Sequence, residues 1–154
     1  MTGRGLGQRF RDRRGAAAVE FAIIFPLLAI LAFGAIDFGR AFFLRNSLIT
    51  AAREGARAGA VLQTLCTGQA AAATAMRNAA RAAFTDASLL TDGYMTTSIS
   101  PSGLNACVIG PTTVRLNIVG FPFTPITPVM RLIGRNGGFA VNASASYRWD
   151  FGEN

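Results

Sequence analysis

Residues 15–36 read GAAAVEFAIIFPLLAILAFGAI and form the long apolar segment of this chain. Glu20 is its only charged side chain. At the helical rise of about 1.5 Å per residue, a helix of this length spans about 33 Å, which is enough to cross a hydrocarbon core of about 30 Å. The sequence therefore predicts one transmembrane helix over residues 16–36.

The arginines on the two sides of this apolar segment are unevenly distributed. Residues 1–14 carry five arginines against one aspartate, whereas Arg40, Arg45 and Arg53 are the only basic residues shortly after the segment. By the positive-inside rule, this excess predicts a cytoplasmic N-terminus and an exported C-terminal part. We expect the basic leader, residues 1–15, to contact anionic membrane lipids, and we expect no nucleic-acid partner.

The composition of the whole chain argues against an enzyme. Its 154 residues include 15 Lys+Arg, all of them arginine, and 8 Asp+Glu, giving a formal net charge of +7 with no histidine. Without lysine and histidine, the chain lacks Schiff-base chemistry, imidazole acid–base catalysis and histidine metal ligands. Only 15% of the residues are charged, against about 25% in an average soluble domain. We therefore expect a membrane-associated protein with no catalytic residue, cofactor or metal.

A cleaved secretory signal is an alternative reading of the apolar segment. Such a signal has an apolar region of about 7 to 15 residues before a small-residue cleavage site. The segment here is longer, although residues 32–34 (AFG) offer a poor cleavage site. A secreted soluble product therefore stays open as the second interpretation.

Glu20 is costly in an apolar helix, because an acidic side chain at mid-bilayer costs about 2.5 to 3.5 kcal/mol on insertion scales. It could lie near the headgroups and reach water. However, residues 13–21 (RRGAAAVEF) resemble the processing site of type IV prepilins, where a peptidase cuts after glycine and glutamate is fifth in the mature chain. The resemblance implies cleavage between Gly15 and Ala16 and an assembly role for Glu20 and Phe21. Glu20 of one subunit would neutralise the new ammonium group of its neighbour.

Further motifs make the resemblance more specific. In order along the chain they are AVEFA at residues 18–22, Pro26, DFGR at residues 37–40, and AAREGARAG at residues 51–59. Together they resemble the TadE-like family, which comprises pseudopilins or minor pilins of the tight-adherence (Flp) pilus assembly system. The resemblance is close over residues 13–60 and general elsewhere.

Membership of this family would imply a non-catalytic, single-pass protein of the bacterial inner membrane with a pilin-like fold. It would act as a minor pilin-like subunit or assembly factor, with other pilin-like subunits and a prepilin peptidase as partners. The alternative is a permanently membrane-bound accessory subunit that stabilises a larger membrane complex with its leader uncut.

We expect the transmembrane helix to continue as a helical stalk over residues 37–62. Asp37 and Arg40, three residues apart, are expected to pair with each other and with headgroups at the membrane exit. Ala51, Gly55 and Gly59 recur at four-residue spacing and form a small-residue stripe, against which another backbone can pack closely. The sequence leaves open whether that backbone belongs to the same chain or to another subunit.

Residues 63–154 are expected to form a small exported α+β domain. The pattern predicts a second helix at residues 69–84 and an antiparallel sheet of three or more strands, including residues 94–100, 112–119 and 139–149. Residues 121–128 contain three prolines and are expected to be an exposed edge or a connecting loop, leading to a short helix at residues 129–133.

Cys66 and Cys107 are the only two cysteines. In an exported domain this even number predicts one disulfide, which would contribute roughly 3 to 4.5 kcal/mol in the chain-entropy model. Two free buried cysteines are the alternative. A metal site would need more ligands than the chain provides.

Overall fold

The computed structural model of the chain describes residues 6–61, 68–100, 112–127 and 138–149, with side chains from residue 15 to residue 148 of this set. Its elements are α1 (Leu6–Val61), α2 (Gln69–Ala83), a 3-10 turn (Asp92–Tyr94), β1 (Met95–Ser100), β2 (Thr112–Phe123) and β3 (Phe139–Trp149). The predicted α+β fold is confirmed, since a long N-terminal helix, a second helix and a three-stranded antiparallel sheet are all present. The predicted short helix at residues 129–133 lies outside the described residues.

The chain divides into two compact units. One unit comprises residues 1–39 and 125–136, and the other comprises residues 40–124 and 137–154. Helix α1 contributes residues to both units, so each unit is described separately below.

Helix α1 is continuous over 56 residues, and Pro26 is the proline inside it. Among the described residues it is the one helix long and apolar enough to cross a membrane. Its most apolar 18-residue window has a mean hydropathy of 2.4, and none of that window is buried. The predicted continuation of the apolar helix into the following residues is confirmed.

In the larger unit, the C-terminal part of α1 packs on α2 and the sheet. The side of α1 that faces the core is built from small residues and one leucine, which are Leu48, Ala51, Ala52, Ala56 and Ala60. Helix α2 contributes Ala72, Met76 and Ala80, and β2 contributes Val114, Leu116 and Ile118, all of them fully buried. Small side chains on α1 allow the larger side chains of α2 and β2 to fill the core.

The sheet has the strand order β1-β2-β3, with both pairs antiparallel. A β-bulge interrupts the β2–β3 register between Ile118 and Phe121. At this bulge Gly120 has φ of 76°, a conformation that favours glycine. The Asn142 side chain accepts a hydrogen bond from the Gly120 amide at 2.8 Å and so fixes the bulge.

At residues 121–123 the edge that we expected within the proline-rich residues 121–128 is present, but it is largely buried and not exposed. Residues 121–123 extend β2 and pair with β3, and Phe121 and Phe123 are buried. The physical reason is that β1 pairs with β2 only as far as Ile118. Beyond that point one edge of β2 has no neighbouring strand in the described part of the chain, and Pro122 is tolerated there as it is on an edge strand.

Candidate functional site

The apolar segment, residues 15–36, has its side chains turned outward. Every described residue in it is exposed except Ala29 and Gly34, which are half-buried. The exposed large side chains include Val19, Phe21, Ile23, Phe25, Leu28, Leu31 and Ile36. Exposure of this much contiguous apolar surface to water would be unfavourable. The side chains of this segment are compatible with the hydrocarbon core of a bilayer.

Glu20 is exposed within this apolar surface. Phe21 beside it stacks on Phe25 of the next turn, with ring centroids 5.4 Å apart. Gly15 and Ala16, at the predicted cleavage position, belong to the same continuous helix α1 and are exposed. Cleavage there and the assembly role of Glu20 stay predictions.

Asp37, the first residue after the apolar segment, is only 3% exposed. Its carboxylate accepts hydrogen bonds from the amide of Ile126 at 3.1 Å and from the amide of Thr127 at 3.3 Å. The Thr127 hydroxyl also donates to it. A carboxylate buried next to the end of the apolar segment is thereby supplied with three donors, which offset the loss of water.

Sequence reasoning missed these partners of Asp37. They lie about ninety positions along the chain, at separations of 89 and 90 residues, so helical spacing gives no signal for them. The predicted pair of Asp37 with Arg40 stays a prediction. Within the larger unit, the Arg40 guanidinium lies over the ring of Phe123 at 5.5 Å, which is a cation–π contact.

The small-residue stripe of Ala51, Gly55 and Gly59 packs inside the chain. A Cβ atom at Gly55 would lie 2.7 Å from the carbonyl oxygen of Met76, and one at Gly59 would lie 2.5 Å from the Met76 Cγ atom. Ala51 is fully buried. The sequence left open whether this stripe packs within the chain or against another subunit. The contacts described here are made within the chain.

Arg77 and Arg81 of α2 surround the carboxylate of Asp92. The Arg81 Nη2 atom lies 2.5 Å from Asp92 Oδ1, and the Arg77 Nε atom lies 3.8 Å from it. Arg81 also donates to the carbonyl oxygen of Leu90 at 3.1 Å. We take this cluster as structural, because it joins α2 to the 3-10 turn before β1.

A surface groove of the larger unit lies beside α1 and β3. This groove of about 680 Å³ is lined by Arg45, Ile49, Arg53 and residues 142–147, and these lining residues include no carboxylate and no thiol. In the described part of the chain, no group of three or more His, Cys, Asp or Glu side chains could hold a metal ion. Cys66 and Cys107 lie outside the described residues, and the structure gives no support for their predicted disulfide.

The comparisons with known proteins bear on the N-terminal helix. Comparison with curated proteins and comparison with solved structures both gave no match. Comparison with family models matched the TadE-like protein family over residues 15–57. This range contains the whole apolar segment, Asp37 and most of the small-residue stripe, so the match covers the part of the chain that fits a single-pass membrane protein. The resemblance seen in the sequence motifs is thus confirmed, and residues 15–57 are similar to the TadE-like protein family.

Proposed function

We propose that this protein is a non-catalytic, minor pilin-like subunit or assembly factor of a Flp-type pilus. The observation that carries the proposal is an outward-facing apolar segment whose one carboxylate is Glu20, in a part of the chain that the TadE-like family model matches. The apolar helix holds the subunit in the lipid bilayer until assembly. The exported part then presents surfaces to other subunits.

The uneven arginines support an orientation for the chain in the bacterial inner membrane. Five arginines precede the apolar segment, so residues 1–15 would remain in the cytoplasm and the larger unit would be exported. The negative surface potential of the cytoplasmic leaflet would hold this basic leader close to the membrane until a prepilin peptidase removes it.

Glu20 supplies the assembly step. Cutting between Gly15 and Ala16 would create an ammonium group that lies about four helical residues, or roughly 6 Å, from Glu20 along the axis. Within lipid, a carboxylate and an ammonium group on neighbouring subunits stabilise each other, because each alone is poorly solvated. Such a pair favours one register between adjacent helices over all others.

The test compares wild-type protein with the Glu20→Gln variant in cells that make the pilus. Glu54→Gln is the matched control, because Glu54 is an acidic residue of the same helix outside the apolar segment. The amount of the protein is measured separately in sheared filaments and in membranes. The intact mass of the protein in each fraction identifies its first residue. We expect a wild-type chain beginning at Ala16 in filaments.

We expect the Glu20→Gln variant to insert into the membrane as the wild type does. The amount of it recovered in filaments should fall by about tenfold or more, which corresponds to about 1.4 kcal/mol of assembly free energy. Glu54→Gln should match the wild type. Normal incorporation of Glu20→Gln would overturn the role of the carboxylate. Protein that begins at Met1 throughout, in a stable stoichiometric membrane complex, would instead identify a permanent accessory subunit.

A further inference from the structure

Residues 125–127 lie against α1 at the position where the apolar segment ends. Asp37 follows Ile36 directly, so it lies about 1.5 Å further along the helix axis. The Ile126 amide is 3.1 Å from Asp37 Oδ1, and the Thr127 amide is 3.3 Å from Oδ2. Both residues belong to the same compact unit as Asp37. These distances place the backbone of residues 126–127 at the depth of the end of the apolar segment.

That depth is the headgroup layer of a bilayer if the apolar segment spans the hydrocarbon core. This layer is about 5 to 7 Å thick on each side, from the difference between the hydrocarbon thickness and the total thickness. A backbone within hydrogen-bonding distance of Asp37 therefore lies in or next to this layer. Residues 125–127 would meet lipid whenever α1 is inserted.

The backbone donors of residues 125–127 suit this environment, in which water is scarce. Pro125 has no amide hydrogen, and the amides of Ile126 and Thr127 both donate to Asp37. All three positions are therefore free of unsatisfied amide donors. Backbone that approaches hydrocarbon needs this condition, because an unpaired amide there costs several kcal/mol.

The side chains at this depth are apolar and outward-facing. Ile126 is 73% exposed, and on the helix Ile36 is 54% and Phe38 is 73% exposed. Asp37 between them is turned inward and satisfied. The Asp37 carboxylate is thus surrounded by its hydrogen-bond donors, whereas the Ile126 side chain is exposed.

We propose that residues 125–127 form a second membrane contact, in which the Ile126 side chain inserts into the headgroup layer of the leaflet where the apolar segment ends. The partner is the lipid surface itself, and the Asp37 carboxylate positions the contact. The proposal rests on the membrane insertion contained in the proposed function. It adds that residues 125–127 contact the bilayer as well as α1.

The test uses tryptophan fluorescence of the full-length chain in phosphatidylcholine–phosphatidylglycerol vesicles with and without brominated acyl chains. Trp149, the one native tryptophan, is replaced by phenylalanine. Three proteins then each carry one new tryptophan, through Ile126→Trp, Phe25→Trp or Leu89→Trp. Phe25 lies in the apolar segment, and Leu89 is an exposed apolar residue of the other unit, 55% exposed.

We expect strong quenching by brominated lipid for Phe25→Trp, intermediate quenching for Ile126→Trp, and little for Leu89→Trp. Adding Asp37→Ala to the Ile126→Trp protein should lower its quenching by about half or more, because the segment loses its acceptor. Asp37→Asn, which keeps one acceptor oxygen, should lower it less. Far-UV circular dichroism checks that each variant retains its helices.

Quenching of Ile126→Trp no stronger than that of Leu89→Trp, with Phe25→Trp strongly quenched, would overturn the membrane contact while leaving insertion of α1 intact. Absent quenching of Phe25→Trp would overturn both. If Ile126→Trp is shielded from aqueous acrylamide yet unaffected by brominated lipid, its surroundings are protein, and the lipid contact is wrong.

Discussion

Gly55 and Gly59 set how closely α1 approaches the rest of the larger unit. A Cβ atom at Gly55 would collide with the Leu116 side chain and lie 2.7 Å from the backbone oxygen of Met76. At Gly59 the neighbours are chiefly atoms of the flexible Met76 side chain, at 2.5 and 2.6 Å. The Met76 backbone oxygen that faces Gly55 cannot move aside as a flexible side chain can, so Gly55 is the stricter position.

We expect Gly55→Ala to lower the free energy of unfolding of the larger unit by about 1 to 2 kcal/mol. Overpacking typically costs about 1 to 3 kcal/mol, and the higher helix propensity of alanine offsets up to about 1 kcal/mol of it. The measurement is thermal unfolding of the full chain in detergent micelles, followed by circular dichroism.

Gly39→Ala is the matched control, because a Cβ atom at Gly39 would meet nothing within 4 Å. It should leave the unfolding midpoint unchanged or raise it slightly. Equal effects of the two substitutions would show that close packing at Gly55 contributes nothing to stability.

The sequence predicted some of the contacts made by single residues and missed others. The spacing of Ala51, Gly55 and Gly59 predicted a helical face that another backbone can approach closely, because one face carries all three. Nothing local could identify Ile126 and Thr127 as the donors to Asp37. Such a contact depends on how the chain returns to α1 after β2, and a single sequence carries no pattern for that return.

Among the elements, α2 is held to the start of the sheet by Arg81. This arginine donates to the carbonyl oxygen of Leu90, to Asn78 at 3.2 Å and to Asp92 at 2.5 Å. The Asp92 side chain is 62% exposed, so the ion pair alone contributes little. The bond to the backbone carbonyl is partly buried and contributes more.

We expect Arg81→Ala to lower the free energy of unfolding by about 1 to 2 kcal/mol, since it removes a charged donor from a part-buried carbonyl. Arg57→Ala should lower it by less than about 0.5 kcal/mol, because Arg57 makes an exposed pair with Glu54 three residues earlier in α1. Urea unfolding of both variants in detergent gives the comparison. Similar losses for the two would refute the proposed importance of the Leu90 carbonyl.

Periodicity predicted the elements themselves well but not the full length of β2. The second helix and β3 were predicted to within one residue of their ends, and β1 to within one as well. The sequence prediction ended β2 at residue 119 because Gly120 and Pro122 usually break strands. The bulge at Gly120, fixed by Asn142, absorbs this irregularity and lets pairing resume at Phe121.

For the whole molecule, the sequence predicts a membrane segment followed by an exported domain, and the structure supplies the interactions within each unit. The domain boundaries at residues 15, 36 and 62 remain predictions. So does the disulfide between Cys66 and Cys107, which would join the segment before α2 to the segment between β1 and β2.

We expect native protein to contain this disulfide, and we expect Cys66→Ser to lower the free energy of unfolding by roughly 3 to 4.5 kcal/mol. Intact mass under non-reducing conditions, after alkylation of the denatured chain, detects the bond directly. Reductant should destabilise the wild type to the level of Cys66→Ser and leave that variant unchanged. Two alkylated thiols in protein purified from the membrane would contradict the pairing.

The bulge in β2 also determines what changes in chain length the sheet can accept. Val114, Leu116 and Ile118 occupy even positions, whereas Phe121 and Phe123 occupy odd ones, yet all five are buried. Strict alternation along a strand would place these two groups on opposite faces of the sheet. The additional residue of the bulge brings both groups to the same face. A gain or loss of one residue between Ile118 and Phe121 would therefore turn one of the two groups to the opposite face of the sheet.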